Sequence, residues 1–227
     1  MYEPLDPSKS EIRVLALTTT SNKADPIRCS LIRVSLDSDK TSLARDRSQA
    51  STALQSFTAL SYTWGEPKFD GRIILDGSVL GITKNLEAAL QQLRISNKPA
   101  MPPHMVALQA RNPHIAKAFQ PPVTYWWIDA VCINQADVDE RNSQVSLMRR
   151  IYKRASNVRI WLGEEADDSN MAIDVINQIS KPPTRGPGEA PTTYPTADEQ
   201  TKLRTWKALR ALFQRPWWER AWIRQEV

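Results

Sequence analysis

Glycine is scarce in this chain, seven residues of 227, and none falls in a GxGxxG or GxxxxGK[ST] pattern. That argues against a phosphate cradle of the Rossmann or P-loop type. Histidine is scarcer. Only His104 and His114 occur, both in a proline-flanked stretch, so a Ser-His-Asp triad or a histidine-rich metal centre has few parts, and no metal is expected. The two cysteines, Cys29 and Cys132, lie in apolar strand-like segments, where a buried reduced thiol is the plainer reading and no disulfide is expected. Long hydrophobic runs are missing too: no stretch approaches the ~20 apolar residues of a spanning helix. Residues 1–10, polar and carrying Pro4 and Pro7, lack the basic start and apolar run of a signal peptide. These absences lead to the expectation of a cytoplasmic chain with no membrane role and no bound cofactor. Any catalysis should rest on carboxylates.

A net charge of +5 could attract nucleic acid. The lysines and arginines are spread along the chain, however, without a basic run interleaved with aromatics, and nucleic acid is not an expected partner.

The composition, 41% hydrophobic and 24% charged, is that of an ordinary globular domain. The length fits one domain with insertions, 1–227, organised around one core. Residues 11–17 (EIRVLAL) and 28–36 (RCSLIRVSL) read as an N-terminal hairpin or edge pair, and 57–64 (FTALSYTW) as a strand stopped by Gly65-Glu66-Pro67. In 72–83 (RIILDGSVLGIT), Asp76-Gly77 supplies the positive φ angles of a two-residue hairpin turn. Leu86, Ala89, Leu90 and Leu93 recur at helical spacing over 85–94.

Residues 97–123 hold six prolines and read as a surface insertion. The apolar run 125–133 (YWWIDAVCI) reads as a central parallel strand, followed by a helix over 138–155 and a second buried strand at 158–162 (VRIWL). That order predicts a right-handed βαβ unit. Further helices are predicted over 170–179 and 198–214, the latter amphipathic through Leu203, Trp206, Leu209, Leu212 and Phe213. Residues 181–196 between them read as a flexible loop. The chain closes on a strand-like segment without a stop signal, as a fragment of a longer protein would.

On a helical wheel, Val138, Val145, Leu147, Met148, Ile151, Tyr152 and Ala155 gather on the predicted core side of the 138–155 helix. Glu140, Arg141 and Gln144 break that side. A charge buried there without a partner would cost several kcal/mol, of order 2–7 even for a neutral polar group. Either these residues find structural partners in neighbouring loops, or they line a cleft at the carboxyl ends of the strands, where open parallel sheets bind ligands. A carboxylate at a helix start is held as the anion, which suits stabilising positive charge better than donating a proton. Ser61, Tyr62 and Trp64 end another strand and could reach the same edge, with packing and turn formation as their plainer roles. Trp64 could equally stack on a flat ring. Asp129, inside an apolar run, must be paired or face the cleft. Asn134 and Gln135 are placed to hold the turn between strand and helix.

The segments 60–67 (LSYTWGEP), 85–94 (NLEAALQQLR), 127–163 (WIDAVCINQADVDERNSQVSLMRRIYKRASNVRIWLG) and 215–227 (RPWWERAWIRQEV) resemble, in order and spacing, the successive motifs of the fungal heterokaryon-incompatibility (HET) domain. The resemblance implies a cytosolic regulator of non-self recognition and programmed cell death. It also implies a distant relation to TIR domains, hence a flavodoxin-like α/β fold with a parallel sheet flanked by helices, here with an added N-terminal hairpin and insertions. Some TIR domains cleave NAD+. If this chain does so, NAD+ is its substrate and Glu140 the catalytic carboxylate that steadies the oxocarbenium-like ribose. Tyr62 or Trp64 would stack on a ring and Arg141 pair with pyrophosphate, with Ser61, Asp129, Asn134 and Gln144 also in the ligand site. The competing class is a non-enzymatic module that self-associates and recruits other proteins of the incompatibility pathway.

Overall fold

The computed structural model describes residues 2–20, 22–37, 56–95, 123–180 and 198–221. Of the expected insertion at 97–123 only Val123, which opens a strand, is among them; the loop at 181–196, both histidines and the last six residues lie outside. Seven strands form one mixed sheet: β1 (Glu11–Thr18), β2 (Arg28–Ser35), β3 (Thr58–Tyr62), β4 (Gly71–Leu75), β5 (Ser78–Ile82), β6 (Val123–Trp127) and β7 (Asn157–Trp161), in the order β5-β4-β2-β1-β6-β3-β7. The helices are α1 (Lys84–Leu93), α2 (Asp129–Cys132), α3 (Val138–Arg154), α4 (Ser169–Ser180) and α5 (Glu199–Phe213).

The expected parallel sheet is realised only in part. β3 runs parallel to both β6 and β7, and β2 to β4. β1 is antiparallel to β2 and to β6, and β4 to β5. The β6–α3–β7 crossover is present, with β3 seated between its strands. The larger departure is β1, which is the central strand of the sheet and not part of an edge pair. Ile12 to Leu17 are all buried, so both faces of β1 are covered, and a strand that is apolar on both faces gains most at the middle of a sheet. The edges are blunted: β7 exposes Asn157 and Arg159, and β5 turns Ser78 and Val79 to solvent.

The run 125–133 is not one strand. β6 stops at Trp127, and Asp129 opens the short helix α2, its Oδ1 accepting the backbone N–H of Ala130 at 2.7 Å. A continuous apolar run is equally compatible with a buried strand and a buried helical turn, which is why periodicity did not separate them. The β4–β5 turn is as read: Asp76 and Gly77 both have positive φ, 48° and 81°.

Two compact units are present. The larger comprises Met1–Trp161 with Ala221–Val227, and the smaller is Leu162–Arg220. The larger buries residues of every strand except β7 together with α1 to α3, including Trp127 edge-on to Tyr152 with centroids 5.6 Å apart. The smaller packs α4 on α5 through Ala172, Ala208 and Leu212.

Candidate functional site

Glu140 sits in the first turn of α3, which starts because Asp137 caps it: the Asp137 Oδ1 accepts the Glu140 backbone N–H at 3.0 Å. The Glu140 side chain turns to the central strand and meets Arg13 of β1. The pair is bidentate, Nη1 to Oε1 at 2.6 Å and Nη2 to Oε2 at 2.9 Å, with side-chain exposures of 2% for Arg13 and 9% for Glu140. Oε1 also accepts the Asn134 backbone N–H at 2.7 Å. Arg13 spends its remaining Nη hydrogens on main-chain carbonyls, of Cys132 at 3.2 Å and of Glu3.

Tyr2 closes the arrangement from the N-terminal segment. Its ring centroid lies 5.0 Å from the Arg13 guanidinium carbon, and its hydroxyl donates to the Val131 carbonyl at 2.9 Å. Burial pushes the Tyr2 phenol up to about 12, with Cys132 adding to the rise and Arg13 opposing it. One ion pair thus ties together four stretches of chain: the N-terminal segment, β1, the 131–134 turn and α3. A pair desolvated this fully is stable only with fitting geometry and satisfied hydrogen bonds, and both carboxylate oxygens and both Nη atoms are bonded here, while the buried Arg13 Nε has no partner among the described residues.

The other expected site residues divide. Gln144, one turn further along α3, is buried and donates to the Glu11 carbonyl at 2.8 Å, so it ties α3 to the start of β1. Arg141 is not on the core side; it is exposed, as are Val138 and Val145, so the buried face of α3 is the narrower one of Gln144, Met148, Ile151 and Tyr152. The wheel drew the apolar half too wide because valines were counted as core wherever they fell. Ser61 and Tyr62 close β3, as expected, but both are buried, 0% and 1% exposed, so neither side chain is presented to solvent. Asn134 caps its own turn, its Oδ1 accepting the Ala136 N–H at 3.3 Å, and Gln135 donates to the Asp129 carbonyl at 2.9 Å.

Trp64 and Asp129 do come together at the carboxyl ends of β3 and β6. The indole Nε1 donates to Asp129 Oδ2 at 2.9 Å, while Trp64 remains 38% exposed. Beside it, Asn85 of α1 donates to the Thr63 carbonyl at 2.5 Å and accepts the indole N–H of Trp161 at 2.9 Å. Arg13, Tyr2, Asn85 and Trp161 were not singled out from the sequence. Arg13 carried a legible signal, a full charge inside an apolar strand.

Burial pushes both thiols, Cys29 and Cys132, up to about 12, and neither is in a disulfide. Among the described residues no cluster of His, Cys, Asp or Glu could hold a metal, and no helix is long and apolar enough to cross a membrane.

No solved structure matches this chain. A curated relative, "Heterokaryon incompatibility protein 6, OR allele" of Neurospora crassa, is 33% identical over 135 residues, covering 56% of this chain and 17% of its own length. This chain therefore spans about a sixth of that relative. The family profile described as "Heterokaryon incompatibility protein (HET)" matches residues 112–226, just over half of the sequence and including α2, α3 and the Asn134–Glu140 turn. The chain belongs to the heterokaryon-incompatibility (HET) family.

Proposed function

We propose that this chain acts in heterokaryon incompatibility as an interaction module, associating with itself and recruiting other proteins of the death pathway, with Glu140 as its internal brace. The observation that carries this reading is the Arg13–Glu140 pair. A carboxylate that steadies an oxocarbenium-like ribose must have an oxygen facing the substrate. Both Glu140 oxygens are engaged by Arg13, and Oε1 by the Asn134 N–H as well. The relative's name supports the incompatibility role.

The NAD+-cleaving alternative retains one foothold, the partly exposed Trp64 beside Asp129 at the strand ends. Both oxygens of that carboxylate are also hydrogen-bonded, to Trp64 and to the Ala130 N–H. The test is to incubate the purified chain with NAD+ over a range of protein concentrations and follow free nicotinamide by chromatography. No release above a protein-free control is expected. Release that disappears in Glu140→Gln, in a sample whose thermal melt shows it still folded, would overturn the brace reading and restore catalysis at Glu140.

A further inference from the structure

The helix α5 has two apolar faces where it needs one. Ala208 and Leu212 are buried against α4. Leu203, Trp206 and Phe213, spaced for one stripe on the opposite side of the helix, are exposed, Trp206 by 71%. The expectation that all the apolar positions of this helix form one core face is therefore corrected. Tryptophan and phenylalanine are enriched at interfaces, and here they share one exposed stripe and are not scattered singly. The stripe is also basic. Lys207 and Arg210 lie along it and form no ion pair among the described residues, whereas Arg204 is taken up by Asp168 at 2.5 Å and Lys202 by Glu199 at 2.8 Å.

The same unit carries the opposite chemistry elsewhere. Glu164, Glu165 and Asp167, in the turn before α4, are exposed and form no ion pair among the described residues, and α4 then exposes Ile173 and Ile176. Within one small unit there is thus a basic apolar stripe and an acidic apolar edge.

We infer that the α5 stripe of one copy docks against the 164–167 turn and the start of α4 of a second copy, with Trp206 as the anchor. The charges decide for a second copy. Lys207 and Arg210 on the stripe favour an acidic partner, and the turn of another copy offers it beside isoleucines that the tryptophan can cover. Two copies can pair reciprocally and close as a dimer, or pair once, head-to-tail, which leaves a free stripe and a free edge and permits growth into rings or filaments. This inference rests on the interaction-module reading and gives it a surface.

Sedimentation velocity on the full 227-residue chain, at rising concentration and at low and high salt, reads it directly. The mean mass should rise with concentration and fall with salt. The variant Lys207→Glu/Arg210→Glu should stay monomeric, and so should Glu164→Lys/Glu165→Lys. Mixing the two should restore association, because the reversed charges are again complementary. Association unchanged in both variants would overturn the surface while leaving the interaction module intact. A wild-type chain that stays monomeric throughout would overturn the inference. So would a monomer that binds phosphatidylserine vesicles and loses that binding in Lys207→Glu/Arg210→Glu, which would assign the stripe to a membrane. Nicotinamide release from the same samples bears on the interaction-module reading separately.

Discussion

Tyr2 and Cys132 report on the buried pair from either side, and each has a measurable signature. The Tyr2 phenol is raised to about 12, mainly by burial, so the folded state holds its proton more tightly than the unfolded state does. A group raised in this way contributes stability that is fully present below its ordinary value near 10 and is lost as pH rises through the folded value. Stability should therefore fall between pH ~10 and ~12, and Tyr2→Phe should flatten part of that fall in urea titrations. The two thiols, raised in the same sense, account for a decline beginning near pH ~9 that Tyr2→Phe leaves in place. Cys132, with no exposed surface and a thiol held protonated, should resist alkylation by iodoacetamide at pH 8 until denaturant is added. Rapid labelling of Cys132 in the native protein would mean that the 128–133 turn opens readily. At this scale the sequence was informative for Glu140 and Gln144, whose polarity on an apolar helix side identified them. It was silent on Tyr2, because an aromatic near a chain start has no periodic context from which to read a partner.

At the scale of elements, the hairpin turn and the cap of α3 are the points where a single residue does a definable job. Gly77 has φ 81° and open space around it, so Gly77→Ala meets no clash, only the left-handed backbone that a Cβ disfavours. The cost should be about 1 kcal/mol, read as a lower urea midpoint with unchanged slope. Asp137→Ala removes the acceptor for the Glu140 N–H and should cost about 1 kcal/mol by the same measurement. Helices were the most legible elements. α1 and α4 fall within a residue or so of the predicted spans, α1 through its apolar spacing; its Thr83 cap was not singled out. Strand direction was legible in part, in the βαβ unit and in the hairpins β1–β2 and β4–β5, but strand order was not. The β1–β2 pairing is the N-terminal hairpin the sequence suggested, but the middle position of β1 also depends on its pairing with β6, which is remote in sequence and leaves no trace in periodicity. The 125–133 run misled for a related reason: where both faces are buried, polarity no longer distinguishes strand from helix.

For the whole molecule, the Arg13–Glu140 pair replaces connectivity that the sheet alone does not provide. Backbone pairing joins β1 to β2 and β6, but α3 and the N-terminal segment are fastened to β1 through Glu140, Gln144 and the Arg13 contact with the Glu3 carbonyl. The motif that identifies the family overlaps this fastening, since Asn134, Asp137 and Glu140 lie inside the 112–226 match. Residues 134–140 form an internal joint, and the surface proposed for a partner, the exposed stripe of α5, lies apart from them in sequence. Glu140 stabilises the fold through Arg13, and a double-mutant cycle measures that coupling. Urea unfolding, followed by tryptophan fluorescence, would compare the wild type with Glu140→Gln, Arg13→Met and the pair of changes together. Each single change should cost about 3–5 kcal/mol, since it leaves the other charge buried and alone. The double change should cost less than their sum by about 2–3 kcal/mol. Additive costs, or a Glu140→Gln protein as stable as the wild type, would contradict the brace and return Glu140 to the search for a catalytic role.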